Sequence, residues 1–240
     1  MSLLTLLQAQ QVQDTIANAA NNADGVVSQE KTLSIMDLIL NSGTGGMIII
    51  GLLLIMLFVA LVIYFERLSA IKAASKVDKN FMNQIKSYVK SGNIDGAKML
   101  CSQYDTAVSN LIAKGVSRIG KPLDDINKAI ENAGKLEVYK LEKNVSTLAT
   151  IAGAAPMIGF LGTVIGMVLA FHNMASGGGK IEVSSLAQGI YTAMTTTVAG
   201  LIVGIAAYIA YNHLVVKTDK VVHNMEANAV DFLDLLNDPA

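Results

Sequence analysis

Four threonines, Thr192, Thr195, Thr196 and Thr197, fall within six residues in the stretch "YTAMTTTVAG" (191–200), with no Asp, Glu, Lys or Arg beside them. A hydroxyl in an apolar helix can bond its own backbone carbonyl three or four residues back, a purely structural use. It can also hydrogen-bond water, a proton carrier or a partner group passing beside it. At 3.6 residues per turn Thr192 and Thr196 stand one turn apart beside a face of small residues, and Thr197 flanks that face on its other side. Thr195 points away, which leaves Thr192, Thr196 and Thr197 as the candidates for function.

The other reactive groups offer less. Cys101 is the single cysteine and no histidine lies in residues 66–143, so a reduced structural thiol is expected rather than a nucleophile. His172 and His213 sit near opposite ends of apolar runs with no second ligand close by, and read as interfacial anchors rather than a metal site. The Gly177–Gly179 run has no strand before it, so a phosphate-binding loop fails on context. No nucleophile, base and orienter come together in the sequence; the chain reads as a non-enzyme without a cofactor. A formal net charge of −1 gives no argument for nucleic acid.

The elements that must hold these hydroxyls are membrane spans. Of the 240 residues 52% are hydrophobic and 15% charged, and three runs lack any Asp, Glu, Lys or Arg: 47–65, 144–174 and 183–212. The first matches the roughly 20 residues that cover about 30 Å of hydrocarbon. The other two exceed it by about ten residues, about 15 Å of helix, and the surplus is expected to extend into the cytoplasm, where amphipathic charged sequence adjoins it. Fourteen of the 18 basic residues lie in 66–143, against one before the first span, one between the second and third, and two after the third. That asymmetry puts the N-terminus outside and the large loop and C-terminus inside.

The fold class expected is an all-α integral membrane protein with three transmembrane helices, long cytoplasmic helical extensions and a cytoplasmic helical loop domain. Its parts are a periplasmic segment over 1–45 with an amphipathic helix at the outer interface, and spans over 46–66, 144–172 and 185–213. Between them lie a cytoplasmic helical domain over 67–143 and a short periplasmic loop over 173–184, and a cytoplasmic helix over 214–240 follows. In the loop, Val77, Phe81, Ile85 and Val89 recur at fourfold spacing, Pro122 opens a helix with Asp124 and Asp125 in its first turn, and Leu123, Ile126, Ile130, Ala133 and Leu141 share a face. The tail offers Val222, Met225, Ala229, Phe232 and Leu236 as their partner stripe. The alternative is helices lying loose on the membrane surface.

Span one is large and apolar on all sides, suited to lipid. In span two Gly159, Gly162, Thr163, Gly166 and Ala170 fall within about 100° of one another, and in span three Gly189, Ala193, Thr196, Gly200, Gly204 and Ala207 within about 80°. Each has a Gly-x-x-x-Gly, Gly162 to Gly166 and Gly200 to Gly204, the pattern that lets helix backbones approach closely in lipid. Either the two faces pack on each other, or several copies form a ring with these faces near its axis.

With Pro156 followed by Gly-Thr-Val-x-Gly-Met in "AAPMIGFLGTVIGM" (154–167), and with "LAQGIYTAMTTTVAGLIVGI" (186–205), the chain resembles the MotA/TolQ/ExbB proton-channel family. It is most similar to the three-span ExbB and TolQ members. The resemblance implies a homopentamer in the inner membrane of a Gram-negative bacterium, spans two and three lining a pore. That pore would hold the helices of an ExbD/TolR-like partner whose membrane Asp carries the proton, and the proton motive force would drive a TonB-like transducer. It also implies pore roles for Thr163 and Thr197, and it places Thr192 where many members have Glu. Alternatives are a TolQ-like role in envelope integrity and a non-conducting membrane scaffold of a secretion or motility complex.

Overall fold

The computed structural model describes residues 43–76, 80–176 and 183–237, all within one compact unit, Ile39–Ala240. Among these residues there are seven helices and no strand: α1 Gly43–Ala74, α2 Phe81–Lys90, α3 Ile94–Gln103, α4 Ala107–Val116, α5 Leu123–Glu142, α6 Val145–Ser176 and α7 Val183–Asn237. The expected outer amphipathic helix, Val77 and the Gly177–Gly179 run lie outside the described residues.

Helices α1, α6 and α7 are long and apolar enough to cross a membrane. The third expected span and the tail are one helix of 55 residues, about 80 Å long. The sequence from Val183 onward holds no proline before Pro239, the residue type that disfavours helical geometry at the position preceding it. α6 carries Pro156 in its interior and continues through it.

Levels along the three long helices follow from two contacts. Gly45 of α1 faces Ile165 and Leu169 of α6, whose side-chain carbons would lie 3.8 and 3.9 Å from a Cβ placed on it. At the other end the Tyr64 hydroxyl and His213 Nδ1 of α7 are hydrogen-bonded at 2.8 Å. Twenty residues separate Gly45 from Phe65 and twenty separate Ile165 from Val145, about 30 Å each, so α6 starts level with the end of the first uncharged run. The far end of α6 therefore runs past Gly45, on the side away from α2–α5. The cause is local. Asn144 takes a positive φ of 62°, a left-handed step that Asn tolerates, and it ends α5 and restarts the chain as α6 at that level.

On the other side α2–α5 pack with the second half of α7 around one core, built from Phe81, Ile85, Val108, Ile112, Ile130 and Phe232 among others. The helices are thus bundled. Thr106 and Ser109 cap α4 reciprocally, and the Asn93 side chain accepts from the Gly96 N–H at 2.9 Å to cap α3. α5 buries Ile126, Ile130, Ala133 and Leu141; Leu123, expected on the same face, is its first residue and is 41% exposed. In the tail Met225 and Phe232 are buried along with Val221, which the stripe had missed, whereas Val222, Ala229 and Leu236 are half-buried.

Candidate functional site

The small faces of α6 and α7 meet each other along an intramolecular seam. Gly159 is packed so closely that an added Cβ would stand 2.8 Å from the Thr196 carbonyl and 3.1 Å from Gly200 Cα. A Cβ on Gly200 would stand 2.6 Å from the Ala155 carbonyl, and one on Gly166 would meet Ala193 Cβ and the Gly189 carbonyl, each at 3.2 Å. Gly162 lies against the Thr196 side chain and Gly189 against Ala170 Cβ. These obstacles are mostly backbone, which cannot rotate aside.

Pro156 and Gly204 close the seam toward α5. A Cβ on Gly204 would meet the Pro156 ring at 2.6 and 2.8 Å and the Ala152 carbonyl at 3.1 Å. Proline has no N–H to donate to that carbonyl, the acceptor four residues back. The ring occupies the notch that Gly204 leaves.

The hydroxyls divide by what they touch. Thr196 is 0% exposed and donates to the Ala193 carbonyl of its own helix at 2.8 Å. It is a seam residue here, enclosed between α6 and α7, because Gly162 opposite leaves a cavity that its side chain fills. Thr197 donates across the seam to the Gly159 carbonyl at 3.2 Å. Thr163 donates to the Phe160 carbonyl at 2.6 Å, Thr195 to the Tyr191 carbonyl at 2.9 Å, and Thr163, Thr192 and Thr197 keep part of their surface open. The structure thus brings Thr196 and Thr197 together with Gly159 and Gly162, and leaves Thr163 and Thr192 on the flanks of the seam.

Two contacts at the other end of the spans were not read from the sequence. The Arg67 guanidinium, 8% exposed, donates from Nη1 to the Lys140 carbonyl at 3.2 Å and from Nη2 to Glu66, tying α1 to the last turn of α5. Tyr64 does the same for α1 and α7 through His213. Their only signal in the sequence was position, at the end of an apolar run. His172 is exposed, and among the described residues no three His, Cys, Asp or Glu side chains gather as metal ligands would.

Residues 103–227 match the family model described as the MotA/TolQ/ExbB proton channel family. The chain is 29% identical over 140 residues to a biopolymer transport protein ExbB homologue of Methanothermobacter thermautotrophicus, covering 58% of this chain and 49% of that one. It is 39% identical over 79 residues to the biopolymer transport protein ExbB of Helicobacter pylori, covering 33% and 54%. With the Tol-Pal system protein TolQ of Pseudomonas aeruginosa it shares 24% identity over 187 residues, covering 73% and 80%. The matched stretches span about half the length of the two ExbB relatives. The family match takes in 125 of the 240 residues (103 to 227), more than half, and the chain belongs to the MotA/TolQ/ExbB proton channel family.

Proposed function

We propose that this multi-pass membrane chain is the channel subunit of a proton-driven motor in the inner membrane of a Gram-negative bacterium. Five copies assemble around the helices of an ExbD/TolR-like partner, and the proton motive force is passed to a TonB-like transducer for outer-membrane import. The observation that carries the reading is a pairing. None of the three apolar runs contains an Asp, Glu, Lys or Arg, yet α6 and α7 present part-exposed hydroxyls at Thr163, Thr192 and Thr197. A carboxylate within the membrane marks a proton path; with no Asp or Glu in the three runs and His172 near the end of the second, the carrier comes from another chain and the hydroxyls host it. The excess of basic residues in 66–143 supports a cytoplasmic helical domain and a periplasmic N-terminus.

In this reading the α6–α7 seam is a rigid wall. Close glycine contacts fix the two helices as one unit, and that unit, repeated around an axis, presents Thr163 to the partner. The test is purification in detergent with mass determination. A pentamer accompanied by a small chain with one membrane Asp is the expected result; a dimer without such a companion overturns it. A second reading, a TolQ-like subunit for envelope integrity, is favoured by the length of the TolQ match, which covers 73% of this chain.

A further inference from the structure

Helix α7 keeps an uncovered face beyond the bilayer. Val216, Lys220, His223 and Ala227 follow one another at helical spacing, within about 60° on a wheel, and all of them are exposed, Val216 at 67%. About five turns earlier the same stripe is formed by Val198, Ile202, Ile205 and Ile209, each more than half exposed. That earlier part lies within the third uncharged run, at the depth of hydrocarbon. The later part does not: the bond to Tyr64 sets His213 level with the end of the first uncharged run, so Val216 to Ala227 lie about 4 to 21 Å further on. Apolar residues exposed in a row where lipid tails no longer cover them mark a contact face.

A groove runs beside this face. Two cavities, of about 590 and 680 Å³, share Tyr139 and Glu142 and follow the line where α5 meets α7. Val138 and Tyr139 of α5 and Val215, Val222 and Ala229 of α7 make its floor apolar. Its charges are unbalanced, with Glu131, Glu142, Asp219 and Glu226 set against Lys135 and Lys143. The ion pairs among the described residues are Arg67–Glu66, Lys98–Asp95, Lys135–Glu131 and Lys140–Glu137. Glu142, Asp219 and Glu226 are thus without a cation in the single chain, and Lys220 is without an anion. An acidic groove with an apolar floor fits an apolar helix face that carries a cation.

Height and charge select a second copy of this chain as the occupant. Copies embedded in one bilayer stand at one depth, so a residue meets in its neighbour the level at which it stands in its own chain. Lys220 is about 1.5 Å of helix from Asp219, and Asp219 and Glu142 line the same cavity. The stripe of α7 that lines the groove, from Val215 through Asp219, Val222 and Glu226 to Ala229, is centred about 110° round the helix from the uncovered face. That is close to the angle at which one member of a ring of five sees its two neighbours. We propose that the uncovered face of α7 in one copy seats in the α5–α7 groove of the next. Lys220 pairs with Glu142 and Asp219 of the neighbouring copy, and Val216 and Ala227 cover its apolar floor. Face to groove is a heterologous contact, which closes into a ring when the rotation between copies permits. The inference rests on the assembly of copies proposed above and not on proton conduction.

The experiment is disulfide cross-linking of the full-length chain in membranes, with the mass of the unmodified protein determined in detergent alongside. Chains carrying E142C are co-expressed with chains carrying K220C, so that a disulfide between the two sites joins two copies, and a linked dimer is expected on a non-reducing gel. E142C with K121C is the control, because Lys121 precedes the far end of α5 and stands about 30 Å from the level of Glu142; no linked dimer is expected. Glu142, Lys220 and Lys121 are all exposed in the single chain, so these substitutions leave its own packing intact. K220E is expected to weaken association about tenfold, the affinity equivalent of one charged contact, and E142K/K220E to recover most of the loss. An oligomeric mass with no linked dimer from E142C and K220C overturns this contact, leaves the assembly standing and frees the groove for a basic segment of a different protein. A monomeric mass overturns both. Equal linking in the control pair overturns the contact too, since it reports collision rather than a seated face.

Discussion

The Thr197 hydroxyl of α7 donates to the Gly159 carbonyl of α6 at 3.2 Å, and it reaches because Gly159 has no side chain to hold the helices apart. An added Cβ there would stand 2.8 Å from the Thr196 carbonyl. Small residue and hydroxyl are thus one device. The glycine lets the backbones approach and the threonine bonds across the gap.

Gly159→Ala is expected to destabilise the chain by about 1–3 kcal/mol, the usual cost of overpacking, because the obstacle is backbone on both sides. Gly153 is the control: nothing lies within 4 Å of its Cβ position, and Gly153→Ala should be neutral or stabilising by up to about 1 kcal/mol through helix propensity. Thermal unfolding in detergent measures both. Equal effects of the two substitutions would contradict the seam.

The threonines should separate by readout. Thr197→Val removes an interhelical bond worth about 0.6 kcal/mol on average in membranes, and it should lower stability slightly. Thr163→Val removes a bond within its own turn, so folding should be unchanged while proton-dependent transport falls. Thr196→Val is expected to act on stability only, since its side chain is enclosed. Paired assays of unfolding and transport on the three variants check this, and a transport defect confined to Thr196→Val would reverse the assignment.

Arg67 joins the first span to the end of α5 through the Lys140 carbonyl. Arg67→Ala should cost about 1.5–3 kcal/mol, the range for a hydrogen bond to a charged group, and should loosen the α5–α6 joint around Asn144. Arg67→Lys should recover only part of it, because a lysine ammonium cannot reproduce the fork that engages both Glu66 and Lys140. Limited proteolysis at that joint reports the loosening.

Cys101 is 3% exposed, and burial pushes its thiol up to about 11. The raised value means that the folded state holds the proton more tightly than the unfolded chain, whose thiol titrates near roughly 8.5. This contribution to stability is complete below that value and is lost as pH rises through about 11. Alkylation by iodoacetamide at pH 8 should be slow in the folded protein and fast once it is unfolded. Rapid labelling of the folded chain would contradict the burial.

Much of this architecture was legible in the chain itself. Uncharged runs located the three long helices, and the glycine spacing located the faces that meet. What the spacing left open was the partner of each face, because a small stripe packs equally well on a neighbouring helix or on another copy; the placement of Thr196 opposite Gly162 shows the intramolecular solution. Composition does not reveal the break at Asn144 between α5 and α6, which depends on a single left-handed residue. The partners of Arg67 and His213 were hidden for a related reason, since each lies more than 70 positions away.

The central claim is that this chain supplies the hydroxyl-bearing wall and another chain supplies the acid. Proton flux into liposomes under an imposed potential tests it most directly, with the chain alone and then with a partner carrying one membrane Asp. The account predicts no flux above protein-free liposomes for the chain alone, flux with the partner, and its loss when that Asp is replaced by Asn. Proton conduction by the chain alone would contradict it.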